Sequence, residues 1–157
     1  MRSVIFIAFL LFVSTYAFTP FLFEDGHKFL DFLKDKDHRC FVIFFKNSNG
    51  TGSVSAEELN DRNNLQQKAL EKRLAGQDNI SYAVIDISAK DLNADTRADI
   101  EEFMKEARID INELSSYPIS VVMDDGVGAY VWGPKHELVI DRVVDAFRKG
   151  RLGNPHN

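Results

Sequence analysis

The ten residues Tyr117-Pro118-Ile119-Ser120-Val121-Val122-Met123-Asp124-Asp125-Gly126 decide the fold of this 157-residue chain. They join a proline, a short apolar strand and an Asp-Asp-Gly turn signal. An Asp-Gly turn between two apolar runs favours a β-hairpin, and residues 129–132 supply the returning strand. The C-terminal part of the chain is therefore predicted to hold an antiparallel strand pair followed by a helix.

Helices and strands alternate upstream of this hairpin. Residues 40–45 form an uninterrupted apolar run, which is typical of a strand buried on both faces. Ser55 and Glu58 form a capping-box pattern that begins a helix, and Gly76 is placed to end it. The other predicted elements are a helix at 26–36, a strand at 80–87, a helix that begins at Asp95-Thr96 and a last helix that ends at Gly150.

The order of these elements predicts a single α/β domain. Strands separated by helices are expected to run parallel through right-handed crossovers, whereas the hairpin strands are antiparallel. The expected result is a central mixed four-stranded sheet flanked by helices, with a C-terminal β-hairpin and helix. This domain is predicted to span residues 18–150, and residues 151–157 form a polar tail.

The first 17 residues have the three-part pattern of a secretory signal peptide. Arg2 precedes an unbroken apolar run at 4–13, and cleavage is predicted after Ala17. The run is shorter than the ~20 residues that a transmembrane helix needs. No charge appears between Arg2 and Glu24, so an uncleaved membrane anchor is the alternative. The protein is thus expected in the secretory pathway, either lumenal or secreted, or as a single-pass anchored chain.

Composition and charge narrow the functional classes. Apolar residues make up 45% of the chain, enough for a core, and the net charge is −5. No basic stripe is present, which argues against nucleic acid as a partner. The four histidines are scattered without metal-ligand spacing, so neither a metal nor another cofactor is expected.

The order and lengths of the elements resemble the thioredoxin fold over about residues 26–150. The segment 117–126 is similar to that family's proline, strand and glycine turn, and Phe41-Val42-Ile43-Phe44-Phe45-Lys46 is similar to the strand before its active-site loop. In that family the proline is cis and faces the redox site. The resemblance therefore implies a cis bond before Pro118. It also makes Tyr117, Pro118 and Ile119 candidates for binding an extended peptide.

The chain departs from the thioredoxin pattern at both cysteine positions. The register running on from Phe45 places the family's C-x-x-C segment at Asn49-Gly50-Thr51-Gly52, so Asn49 and Gly52 stand where the cysteines belong. Thiol–disulfide exchange needs an attacking thiolate and a second thiol, and an amide and a glycine supply neither. Oxidoreductase activity is therefore not expected.

Four further residues, Cys40, Asn49, Asn79 and Trp132, have both a structural and a functional interpretation. The single cysteine, Cys40, is interpreted as a small buried side chain, with a redox sensor or an intermolecular disulfide as the alternative. Asn49 and Asn79 each begin a glycosylation sequon, and a glycan on Asn49 would cover the former redox face. Trp132 is interpreted as strand-end core, with a stacking platform as the alternative.

The resemblance to redox-inactive domains of protein disulfide isomerases implies a non-catalytic binding protein of the secretory pathway. Its partner is expected to be a protein or a peptide. Two alternatives stay open. One is a membrane-anchored accessory subunit of a larger complex, if the N-terminal segment is retained. The other is an enzyme with unrelated chemistry on the same scaffold, such as a glutathione-dependent transferase.

Overall fold

The computed structural model describes residues 40–50, 53–75, 80–124 and 127–148. The predicted signal segment, the predicted helix at 26–36, Gly52, Asn79 and the tail at 151–157 lie outside these ranges. The described elements follow in the order β1 Cys40–Lys46, α1 Ala56–Leu74, β2 Ile80–Asp86, α2 Ala94–Glu106, a short 3-10 helix Ile111–Ser115, β3 Ile119–Asp124, β4 Val127–Trp132 and α3 His136–Arg148.

Strand β1 lies inside the sheet because its side chains are apolar on both faces. Ile43, Phe44 and Phe45 are each 0% exposed. A strand of this kind needs cover on both faces and a partner on both edges. It runs parallel to β2 and antiparallel to β3, and β4 pairs antiparallel with β3. The strand order is β2-β1-β3-β4, so the predicted mixed four-stranded sheet is confirmed.

Side chains that alternate along the strands divide the core between the two faces of the sheet. On one face, Ile43 and Phe45 pack with Ile100, Phe103 and Met104 of α2. On the other face, β1 packs against α1 and α3 through Val42, Phe44, Leu70, Leu74, Ile140 and Val144. Helices therefore cover both faces of the sheet, and the architecture is the thioredoxin-like α/β fold that the sequence predicts.

Local capping sets where the helices begin. The Ser55 hydroxyl accepts the Glu58 N–H at 3.1 Å, which confirms the predicted start of α1. Helix α2 begins one residue before the predicted Asp95, because the Asn93 side chain caps it and accepts the Thr96 N–H at 2.7 Å. Among the described residues, no helix combines the length and the apolar character that crossing a membrane requires.

Two leucines on α1 test how this helix is anchored. Leu70 is 0% exposed within the core, whereas Leu65 on the same helix is 65% exposed. We expect Leu70→Ala to lower the free energy of unfolding by about 2–5 kcal/mol, since it removes buried apolar surface and leaves a cavity. Leu65→Ala should change it by less than about 0.5 kcal/mol. Urea titrations followed by circular dichroism measure both values, and equal losses would contradict this packing.

Candidate functional site at the ends of strands β1 and β2

Three chain segments meet at one end of the sheet. Lys46 at the end of β1 pairs with Asp86 at the end of β2, and Phe45 pairs with Ile119 at the start of β3. The loop after β1, the turn after β2 and the segment before β3 therefore lie side by side. The loop that carries Asn49 lies at this end of the sheet, where the sequence resemblance places the active-site loop of the thioredoxin pattern.

The loop after β1 is anchored to the turn after β2 by hydrogen bonds to one carboxylate. The hydroxyls of Ser48 and Ser88 both donate to Asp86, the second at 2.7 Å. The Ser48 N–H donates to the Ser88 hydroxyl and the Ser88 N–H donates to Asp86, each at 2.9 Å. The two serines and the carboxylate form a closed network, which we call the Asp86 network. It fixes the backbone immediately before Asn49.

The hydrogen bonds of the Asp86 network control the charge of its carboxylate. Burial alone would raise the pKa of Asp86, because a half-buried carboxylate is less well hydrated. Hydrogen bonds from Ser48 and Ser88, together with the positive charge of Lys46, outweigh burial and lower the pKa below its ordinary value. Asp86 is therefore an anionic anchor for the loop and has no proton to donate near neutral pH.

Helix α1 supports the same loop from its first turns. The buried Asn63 amide donates to the Asn47 carbonyl at 2.8 Å, and the Asn60 amide donates to the Ser48 carbonyl at 3.4 Å. Gly50 packs so closely that a Cβ at this position would lie 2.4 Å from the Ala56 nitrogen. The loop thus folds back onto the start of α1. Asn49, where the thioredoxin pattern predicts the first cysteine, is exposed on it, and its N–H donates to the Asn47 side chain at 2.9 Å.

The bond before Pro118 is trans, so the predicted cis bond is wrong: the described residues contain no cis peptide. Trans is the favoured form of an X-Pro bond by about 0.5–1 kcal/mol unless neighbouring contacts select cis. Here the Tyr117 N–H reaches the Glu113 carbonyl at 3.2 Å with the bond in trans. Of the three predicted partner-binding residues, Pro118 is buried and Ile119 is 0% exposed in the core. Tyr117 is half-buried, so it is the one whose side chain is partly accessible to a partner.

Arg62, Tyr117 and Trp132 form a cluster at the rim of this end of the sheet. The Arg62 guanidinium donates to the Ser116 carbonyl at 2.7 Å and lies 4.5 Å from the centre of the Tyr117 ring. Trp132 meets Tyr117 edge to face at 6.1 Å, and its indole N–H donates to the Glu113 carbonyl at 3.1 Å. Trp132 is 42% exposed, so its interpretation as core is wrong. The Trp132 indole therefore has a hydrogen-bond partner in the Glu113 carbonyl, and part of its ring is exposed to solvent.

The Arg62 contacts leave no local signal in the sequence, because Arg62 and Ser116 are 54 positions apart. The Asp86 network did leave a local signal. An Asp-x-Ser sequence directly after a strand is typical of a turn in which the carboxylate accepts the N–H two residues on. That pattern at Asp86-Ile87-Ser88 identifies the turn, although it does not identify Ser48 as the third member.

Cys40 lies at the far end of β1 from this site. It begins the strand whose other end, Lys46, leads into the loop. A seven-residue strand is about 20 Å long, so Cys40 is remote from the Asn49 position along the chain direction of β1. Cys40 pairs in register with Ile80 and Asp124, at the opposite end of the sheet.

No catalytic arrangement of side chains is found in the described part of the chain. The imidazole Nε2 of His136 lies 2.6 Å from the Ser120 hydroxyl, but both residues are 0% exposed, and Phe44 packs edge-on against the imidazole. A substrate could not reach this pair, so its role is to satisfy polar groups inside the core. Within the described ranges, no group of three or more His, Cys, Asp and Glu side chains is placed to hold a metal ion.

The acid sensitivity of the loop tests the Asp86 network. The folded-state pKa of Asp86 lies below the unfolded value of about 3.9, so the unfolded chain binds this proton more tightly. The stabilisation is therefore complete above about pH 4 and is lost as the pH falls through the folded-state pKa. We expect the difference in unfolding free energy between wild type and Asp86→Asn to be largest at pH 7 and to shrink towards pH 2.

Denaturant titrations across this pH range measure that difference. Asp61→Asn, which removes an exposed carboxylate from α1, is the control for the loss of one negative charge. A difference between wild type and Asp86→Asn that stays constant from pH 7 to pH 2 would contradict the assigned role of the carboxylate.

Comparisons with known proteins show a likeness in structure. No family model and no curated protein sequence matches the chain. Among solved structures, the chain is similar to mitochondrial thioredoxin 3 from Saccharomyces cerevisiae in its oxidized form. The two share 19% sequence identity with a TM-score of 0.46, over 76% of this chain and 88% of that chain.

Proposed function

We propose that this protein is a non-catalytic, thioredoxin-like binding protein of the secretory pathway that takes a protein or peptide as its partner. The observation that carries the proposal is the cysteine content. The chain has one cysteine, Cys40, and it begins β1, whereas the loop at the other end of β1 carries Asn49. Dithiol chemistry at that loop would need two.

The chemistry of the loop supports binding in place of exchange. An exchange reaction begins when a thiolate attacks a disulfide sulfur, and it ends when a second thiol resolves the mixed disulfide. The Asn49 amide cannot act as that nucleophile, and glycine at position 52 has no side chain. The loop is nevertheless held firmly by the Asp86 network and by amides from α1. A loop that is held in place and carries no nucleophile can contribute to binding a partner, but it cannot start thiol–disulfide exchange.

The Arg62–Tyr117–Trp132 cluster supplies the contact surface next to that loop. Aromatic and arginine side chains are enriched at protein interfaces, because they bury large areas while keeping a polar group satisfied. Trp132 is 42% exposed, and the Arg62 guanidinium is already held by the Ser116 carbonyl. Little side-chain entropy remains to be lost when a partner covers them.

Peptide binding tests this surface directly. The probe is a fluorescein-labelled insulin B chain whose cysteines are alkylated, so that only non-covalent binding is measured by anisotropy. We expect a Kd of about 10–100 μM for the wild type. Arg62→Ala and Tyr117→Ala should each weaken binding by about tenfold, as loss of an anchoring side chain typically does. Quenching of Trp132, the single tryptophan, reports binding independently.

Leu65→Ala is the matched control, since Leu65 lies on the same helix as Arg62 and is 65% exposed. Its Kd should equal that of the wild type. Equal affinity of all four proteins, or no binding at 1 mM, would contradict the proposed surface.

The secretory location rests on the sequence of the first 17 residues, and the exposure of Asn49 is consistent with it. An asparagine in a sequon accepts a glycan only where it is accessible, as Asn49 is in the folded loop. The alternative location is a membrane-anchored accessory subunit that keeps the N-terminal segment.

Mass spectrometry of the protein expressed in a eukaryotic host distinguishes these locations. We expect the chain to begin at Phe18 and to carry a glycan that Asn49→Gln removes, since Asn49 lies in the exposed loop. Asn79→Gln is the control for the second sequon. A chain that begins at Met1 and sediments with membranes would contradict the secreted form and favour the anchored subunit.

A further inference from the structure

Strand β4 is an edge strand with none of the usual protection. Within the described residues it pairs with β3 alone, so its other edge presents backbone N–H and C=O groups. Its sequence, Val-Gly-Ala-Tyr-Val-Trp, contains no charged residue and no proline. Natural edge strands are commonly blocked by lysine, proline or a bulge, because an open edge is a template for another strand.

The face of β4 that looks towards α2 is also partly open. Tyr130 is 44% exposed and Trp132 is 42% exposed, and Gly128 is the third residue on this face. A cleft of about 180 Å³ adjoins Gly128, floored by Val121 and Met123. The Met123 side chain packs directly against the Gly128 backbone, since a Cβ on Gly128 would lie 2.8 Å from the Met123 Cγ.

We propose that the partner of this edge is a second copy of the chain, with the two β4 strands paired antiparallel about a two-fold axis at Tyr130. Antiparallel pairing places residues of the same face opposite each other. With Tyr130 on the axis, Gly128 therefore lies opposite Trp132 of the second copy, and Ala129 lies opposite Val131. The two four-stranded sheets join into one of eight strands.

The residues of β4 match this two-fold arrangement in size and charge. Trp132, the largest side chain of the strand, lies opposite Gly128 of the second copy, which has no side chain. The exposed part of Trp132 therefore covers the backbone beside the cleft of the second copy. An aromatic residue opposite an edge glycine is a known way to stabilise such a position. The strand carries no charge, so the two-fold axis brings no like charges together, although each chain has a net charge of −5.

The expected dimer is weak. One strand pair with a few side chains on either side lies at the small end of specific interfaces, which corresponds to a Kd of about 10–100 μM. The dimer interface and the proposed partner-binding surface share Trp132. Tyr130 lies outside the Arg62–Tyr117–Trp132 cluster, so Tyr130→Lys tests the dimer, whereas Arg62→Ala and Tyr117→Ala test partner binding.

Sedimentation velocity of the purified full-length product between 1 and 200 μM tests self-association. We expect a monomer–dimer equilibrium in the wild type and a monomer at all concentrations for Tyr130→Lys, which places two ammonium groups beside the axis. Leu65→Lys, on the exposed side of α1, is the control for an added charge and should dimerise like the wild type. An unchanged thermal midpoint shows that each variant is folded.

A cross-link tests the register. Residues opposite each other in an antiparallel pair have Cα atoms about 4.5–5.5 Å apart, within reach of a disulfide. In a Cys40→Ser background, Tyr130→Cys should form a covalent dimer with oxidized glutathione, and Leu65→Cys should not. A wild type that is monomeric at 200 μM, a Tyr130→Lys variant that still dimerises, or equal cross-linking of both cysteine variants would overturn the proposal.

Discussion

The double pairing of β1 is the constraint on which the rest of the structure depends. A strand that is apolar on both faces has to lie between other strands and beneath helices on either side. Its parallel pairing with β2 and antiparallel pairing with β3 bring the end of β1, the end of β2 and the start of β3 to one end of the sheet. This topology places the candidate site at that end of the sheet, whatever chemistry its residues carry.

The residues at that end of the sheet hold the loop in a fixed geometry. Asp86 remains charged because two serine hydroxyls and a nearby lysine favour its anionic form, and it holds the loop by hydrogen bonds. On the other side of the loop, Arg62 links α1 to the segment before β3 through the Ser116 carbonyl. The loop and the aromatic cluster are thus both attached to regular secondary structure. A rigid surface of this kind binds with a smaller entropy loss than a flexible one.

Local signals explain which features the sequence predicts. The apolar run at 40–45 and the capping box at Ser55 act over a few residues, and both elements begin where the pattern indicates. Features that depend on distant contacts were not accessible in this way. The trans bond at Pro118, the exposure of Trp132 and the position of Arg62 all follow from contacts between α1, β4 and the segment around Glu113 and Ser116. The family resemblance implied the wrong isomer at Pro118, where the Tyr117 N–H reaches the Glu113 carbonyl with the bond in trans.

The proposed function requires that this protein, with its thioredoxin-like fold, acts without dithiol chemistry. The most direct measurement is insulin reduction by dithiothreitol in the presence of the purified protein, with an ordinary dithiol thioredoxin as the positive control. We expect insulin to precipitate no faster than in the protein-free reaction. Faster precipitation that disappears in a Cys40→Ser variant would contradict it, because the single thiol of the chain would then be catalytic.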